Sequence, residues 1–155
     1  MPKLALPSAL LAALLSAHAA PVAAQVAVSD AWVRGTVPGQ MATGAFMQLK
    51  SPTDAALVAA ASPAARIVEI HEMKMEGGVM KMSAVDRLAL PAGKAVELKP
   101  GGYHVMLMEL RQQVKEGDTV PLTLVVEGPD KKRETVEVKA VVRALTAEPS
   151  KGHAH

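Results

Sequence analysis

The chain is 155 residues long and nearly balanced in charge, with 17 Lys plus Arg against 15 Asp plus Glu, and it contains no cysteine. That balance, with one Trp, one Tyr and one Phe, excludes the basic surface and aromatic stacking platforms of a nucleic-acid binder. The missing thiol excludes disulfides, thiolate nucleophiles, Cys-ligated zinc and blue-copper ligation together.

Residues 1–24 read as a secretory signal peptide. Lys3 gives a positive start, and Leu4 to Leu15 form an apolar run shorter than the roughly 20 residues a membrane span needs. Small-residue cleavage patterns follow at Ala17-His18-Ala19 and Val22-Ala23-Ala24. Cleavage is expected after Ala24, immediately before the first strand, with Ala19 as the alternative. The expected location is the periplasm. The remainder is of a size for one buried core, expected over residues 25–146, with a polar tail over 147–155.

From Val26 onward, short alternating runs are punctuated by Gly and Pro. Val26–Val33 is predicted as a strand, and Gly35 and Pro38-Gly39 end it. Ala42–Lys50 follows, closed by Ser51-Pro52. Ala55–Ala61 is short and bounded by Pro52 and Pro63, which favours strand over helix. Arg66–Met75 and Val79–Val85 flank Gly77-Gly78, a two-residue hairpin signal. Leu88–Leu90, Lys94–Leu98, Tyr103–Leu110, Val120–Glu127 and Glu134–Arg143 complete the series. Many short strands at regular spacing predict an all-β sandwich or barrel.

The hairpin can be registered from its turn. With Gly77 and Gly78 as loop residues, Glu76 faces Val79, Met75 faces Met80 and Met73 faces Met82. Cross-strand partners share a face that repeats every second residue. His71, Met73, Met75, Met80 and Met82 therefore project together, with His71 and Met82 as diagonal neighbours about 7–8 Å apart at the backbone. In Tyr103–Leu110 the same alternation puts His104, Met106 and Met108 on one face. Two such pairs brought together make a set of four neutral ligands, His71, Met82, His104 and Met106.

The ligand types select the metal. Thioethers are soft and prefer Cu(I) over Zn(II), Mg or Ca. With Cu(I) the neutral site keeps a charge of +1, whereas Zn(II) would keep +2 with no anionic ligand to offset it. A methionine on a strand is ordinarily core filler, yet a purely apolar face would mix in Leu, Ile and Val and would not carry a His in register with each pair. Met73, Met75, Met80 and Met108 could serve as alternative ligands, a soft entry path or a hydrophobic rim, and rim is the expectation. Trp32 and Arg34 alternate on the first strand and so could share a face near the site, although a structural Trp32 in the sandwich core is the expectation. No arrangement of carboxylates or hydroxyls suggests an enzyme.

The spacing of His71, Met82, His104 and Met106 resembles the H-x10-M-x21-H-x-M pattern of the PCu(A)C family of periplasmic copper chaperones. Ala31-Trp32-Val33-Arg34, Lys74-Met75-Glu76-Gly77-Gly78-Val79-Met80 and Leu98-Lys99-Pro100-Gly101-Gly102-Tyr103-His104 are also similar to that family. The resemblance implies a cupredoxin-like Greek-key β-sandwich with an exposed Cu(I) site at one end. It implies delivery of copper to cytochrome c oxidase, notably its CuA centre, alongside Sco-type thiol proteins, by a monomer. His153 and His155 resemble a short form of the C-terminal extension that adds a Cu(II) site in some relatives; a solvated terminus is the alternative. Copper storage or resistance, or a metal-free sandwich that docks partners through its Met face, are the competing functions.

Overall fold

The computed structural model describes residues 25–146, so the expected signal peptide and the tail with His153 and His155 lie outside the described residues. Ten strands run in chain order: β1 Ala27–Arg34, β2 Ala42–Lys50, β3 Ala55–Ala61, β4 Ala65–Glu76, β5 Val79–Ala84, β6 Leu88–Leu90, β7 Ala95–Leu98, β8 Tyr103–Leu110, β9 Thr119–Glu127 and β10 Arg133–Arg143. Each matches a predicted strand to within a residue or two at its ends. Alternation and turn chemistry are local properties, and here tertiary context does not override them.

Hydrogen bonding connects nine of these strands in the order β5-β4-β8-β2-β1-β10-β9-β3-β6, with β7 paired to β2. This path cannot lie flat. β3 and β4 are separated by only residues 62–64, a link that reaches about 15 Å at full extension. Along the path they stand six strand spacings apart, about 29 Å in a flat sheet. The path therefore folds over into two layers, which β3 and β4 bridge by a short crossover. This is the expected Greek-key β-sandwich.

The layers meet over a single apolar cluster. Ala45, Met47 and Leu49 of β2, Ile70 of β4 and Val105 and Leu107 of β8 face Leu57, Leu88, Leu90, Leu122, Leu124, Val126 and Val138. A β-bulge between Ser29 and Trp32 interrupts the β1–β2 register, and Asp30 sits in it with φ 51°, a left-handed conformation that Asp tolerates better than most side chains. Beyond the bulge, β1 also pairs in parallel with β10, Trp32 opposite Val141. The sequence gives little warning of this bulge.

Val105 and Leu107 of β8 face the core while His104, Met106 and Met108 lie on its outward face, so the two faces can be perturbed separately. Leu107→Ala removes a fully buried side chain and should lower stability by about 2–5 kcal/mol. A urea midpoint that moves by less than a third of that range would show that Leu107 does not carry the layer contact.

Candidate metal centre

β4 is the strand that assembles the site. Its first part pairs with β8 and its last part with β5, and the two pairings overlap at His71. On one side His71 faces Ala84; on the other it faces His104 directly. Met73 faces Met82 and Met75 faces Met80 across the hairpin, as the turn predicted. Gly77 and Gly78 take φ 57° and 76°, the two positive values that a type I′ turn requires. Glu69 faces Met106, so Met106 is the diagonal neighbour of His71 on the β8 side, as Met82 is on the β5 side.

All four candidate ligands point away from the main core, because Ile70, Val105 and Leu107 point into it. The structure thus sets them on the outward face of β5-β4-β8-β2, near the β5 edge of the sheet. Their exposure is graded: His104 is buried, His71 and Met106 are half-buried, and Met82 is 48% exposed.

A cross-strand row supports the two imidazoles. Trp32 pairs with Phe46 in the neighbouring strand, their ring centroids 4.6 Å apart. Phe46 lies 6.2 Å from the His104 ring, and His104 lies 5.8 Å from His71. Trp32 is buried as expected, but in this outward row rather than in the core between the layers, because Val33 takes the inward position. The Arg34 guanidinium lies 5.5 Å from the Phe46 ring and 6.0 Å from Trp32, held by ring faces, with its Nε buried and unpaired. Register alone reveals Phe46 as part of this site, and no sequence motif marks it.

Hydrogen bonds fix which nitrogen of each imidazole is free. The Gly102 carbonyl accepts from the Met73 backbone N–H at 3.1 Å and lies 3.2 Å from His104 Nδ1. A carbonyl can only accept, so Nδ1 carries the proton and Nε2 keeps a lone pair. His71 Nε2 lies 2.8 Å from Glu69 Oε2. In the neutral ring that nitrogen is the donor, and Nδ1 is left buried with no partner. An orphaned buried nitrogen is uncommon, and a metal ion would satisfy it. Glu69 and Gly102 thus orient the two imidazoles, the part that outer partners play around ligating histidines in metal sites. Both sit two residues before their histidine, a same-face spacing in the sequence that could have drawn attention to them.

A cleft of about 260 Å³ opens between these strands, lined by Met73, Met82, His104, Met106, Gly44 and Arg34 among others. His71 does not line it directly and stands beside His104. Gly44 faces Met106, and a Cβ there would lie 2.8 Å from Phe46 Cζ, so glycine keeps this wall open. A larger cavity of about 550 Å³ lies elsewhere, lined by Asp130, Lys132, Arg133 and Glu134 among others, without imidazole or thioether. Among the described residues no group of three His, Cys, Asp or Glu is arranged for a metal, so any ion here would depend on the thioethers. The donor set suits a soft monovalent ion.

Burial holds the His104 imidazole below its ordinary pKa; the Gly102 hydrogen bond opposes this, and the charges of His71 and Arg34 add to it. Folded His104 resists a proton that the unfolded chain accepts. Its contribution to stability is therefore complete above the unfolded value of about 6.5 and is lost as pH falls from there toward the lower folded value. Metal-free protein should lose urea resistance between pH 7.5 and pH 5, and His104→Gln should flatten that slope. Equal slopes in the two proteins would assign the loss to other groups.

The family described as "Putative lipoprotein LpqE-like" matches residues 26–142. A protein of Leifsonia xyli subsp. xyli (strain CTCB07), described as "Putative lipoprotein Lxx21020", is 36% identical over 102 residues, which is 64% of this chain. The chain spans 60% of the length of that relative. Among solved structures, apo-DR1885 from Deinococcus radiodurans is 34% identical, covering 93% of this chain and 94% of its own, with a TM-score of 0.58. The same protein solved as CuI-DR1885 aligns over 83% of each chain with a TM-score of 0.56. The copper-bound PCuAC domain from PmoF2 shares the fold at a TM-score of 0.62 and 24% identity, over 77% of this chain and 92% of that domain. By the span of its sequence match and the likeness of its strands, the chain belongs to the LpqE-like family and has the PCuAC β-sandwich fold.

Proposed function

We propose that the chain is an exported copper carrier. It holds one Cu(I) ion as cargo between His71 Nδ1, His104 Nε2 and the thioethers of Met82 and Met106. The observation that carries this reading is the direct pairing of His71 with His104, each ring retaining one unshared nitrogen and each flanked diagonally by a methionine. The copper-bound PmoF2 domain and CuI-DR1885 support copper as the cargo. Export is supported by the N-terminal apolar run and by the lipoprotein description of the family.

Release follows from the same features. The buried imidazole of His104 anchors the ion, while Met82, on an exposed edge strand, is the ligand an incoming donor can displace first. No electron moves, because the ion stays at +1, and the departing His and Met ligands leave as neutral groups; where the incoming donor is a thiol it binds as the thiolate and releases its proton to water. A nearby Arg34 cation discourages further positive charge and keeps the complex from becoming too stable to pass on. The proposed acceptor is a copper enzyme of the envelope, the CuA centre of cytochrome c oxidase directly or through a Sco-type thiol protein. The proposed carrier is a monomer and not an enzyme. His153 and His155 are proposed as a separate Cu(II) site, and truncation after residue 146 should abolish Cu(II) binding while leaving Cu(I) binding intact.

Replacing Met82 and Met106 together by Ala should weaken Cu(I) binding by more than about 100-fold in competition with a chromogenic chelator, with an unchanged far-UV spectrum. Glu69→Gln, which removes an orienting partner but no ligand, should cost about tenfold, within the usual range for such partners. Unaltered affinity in the double variant would end the four-ligand reading. Delivery is distinguished from storage by oxidase activity in a deletion strain at limiting copper: delivery predicts a deficit that added copper repairs, whereas storage predicts none.

A further inference from the structure

Apart from Met108 on β8, the methionines of this face that remain outside the four-ligand set are the three on the β4–β5 hairpin, Met73, Met75 and Met80. Their positions do not suit hydrophobic filling. β5 is exposed at every residue, and Met75 and Met80 are 64% and 44% exposed, so the hairpin covers no core. Val or Thr would suit a solvent-exposed strand better on β-propensity, which leaves the thioether itself as the distinguishing property at these positions.

The register draws these sulfurs together in pairs. The two-residue turn makes Glu76 and Val79 a hydrogen-bonded pair, so Met75/Met80 and Met73/Met82 fall on rungs of the non-hydrogen-bonded kind. On such rungs the Cα atoms approach to about 4.5 Å and the side chains lie closest. Successive rungs are about 7 Å apart, within reach of the long, flexible methionine side chain. The opposite face is occupied by salt bridges of Lys74 with Glu72 at 2.8 Å and Lys81 with Glu76 at 3.1 Å. Charge is thus confined to one side of the ribbon and soft donors to the other.

We propose that Met75, Met80 and Met73 form a second site for a soft monovalent ion, Cu(I) or Ag(I), at the exposed end of the β4–β5 hairpin. Having three thioethers and no imidazole, it binds more weakly than the His71–His104 centre. That ranking rests on the function proposed above, whereas the site itself does not. An ion held there is one ligand exchange from Met82, because Met73 and Met82 share a rung.

The test is a titration of the full chain, labelled with ¹³C at the methionine methyls and ¹⁵N in the histidine rings, with Ag(I) as a redox-inert probe. The first equivalent should shift Met82 and Met106 together with the imidazoles of His71 and His104. The second should shift Met75, Met80 and Met73. The variant Met75→Leu/Met80→Leu keeps an apolar hairpin and should reduce the hairpin stoichiometry from one ion to none while leaving the first equivalent unchanged. A second equivalent that leaves all three methyls unmoved, or that persists on the hairpin in the double variant, overturns the proposal. If the hairpin methyls shift but His71 and His104 never do, the second site stands and the four-ligand centre falls.

Discussion

The antiparallel pairing of β4 with β8 is the contact on which the rest of this structure depends. It sets His71 opposite His104, and every other feature of the proposed centre is measured from that pair. A slip of one residue in this pairing would send one imidazole into the core and bring Ile70 or Val105 out to water. The core resists such a slip, because Ile70, Val105 and Leu107 are almost wholly buried. Hydrophobic burial on the inner face thus holds the register that the outer face needs for chemistry. Stability and site geometry are two sides of the same strands.

The outward face is itself divided. Toward β1 it is dry, with Trp32, Phe46 and His104 buried in one row and capped by Arg34 and Arg143. Toward β5 it is open, and Met82 is accessible to solvent and partners. This gradient decides the roles of the ligands. A buried imidazole oriented by the Gly102 carbonyl is costly to displace, since displacement leaves a polar nitrogen without a partner. An exposed thioether has weak hydrogen bonding to lose and a flexible chain to swing away. In the proposed carrier the ion is therefore held from one side and exchanged from the other.

Backbone elements fix the side chains that matter. The Gly102 carbonyl links β4 to the loop before β8 through Met73 N–H while it orients His104. Glu69 orients His71 from within β4. Gly44 leaves space beside Met106 where any larger residue would collide with Phe46. These contacts join three strands distant in sequence, so the inner side of the centre is tied into the sheet while its outer side lies on the exposed edge hairpin.

The sequence by itself determined the strands, the Gly77-Gly78 turn and the hairpin register, because alternation, glycine conformation and turn length act over a few residues. It also singled out the four candidate ligands and their soft character. Which strands become neighbours was not legible. β4 and β8 are separated by three intervening strands, and only the burial of both layers on one core brings them side by side. With that adjacency come the facing of His71 by His104, the aromatic row through Phe46, and the assignment of the free nitrogen on each ring. The exposure of β5 along its whole length was likewise decided by tertiary structure, because it depends on the hairpin lying at the sheet edge past its last partner, and no local pattern encodes that.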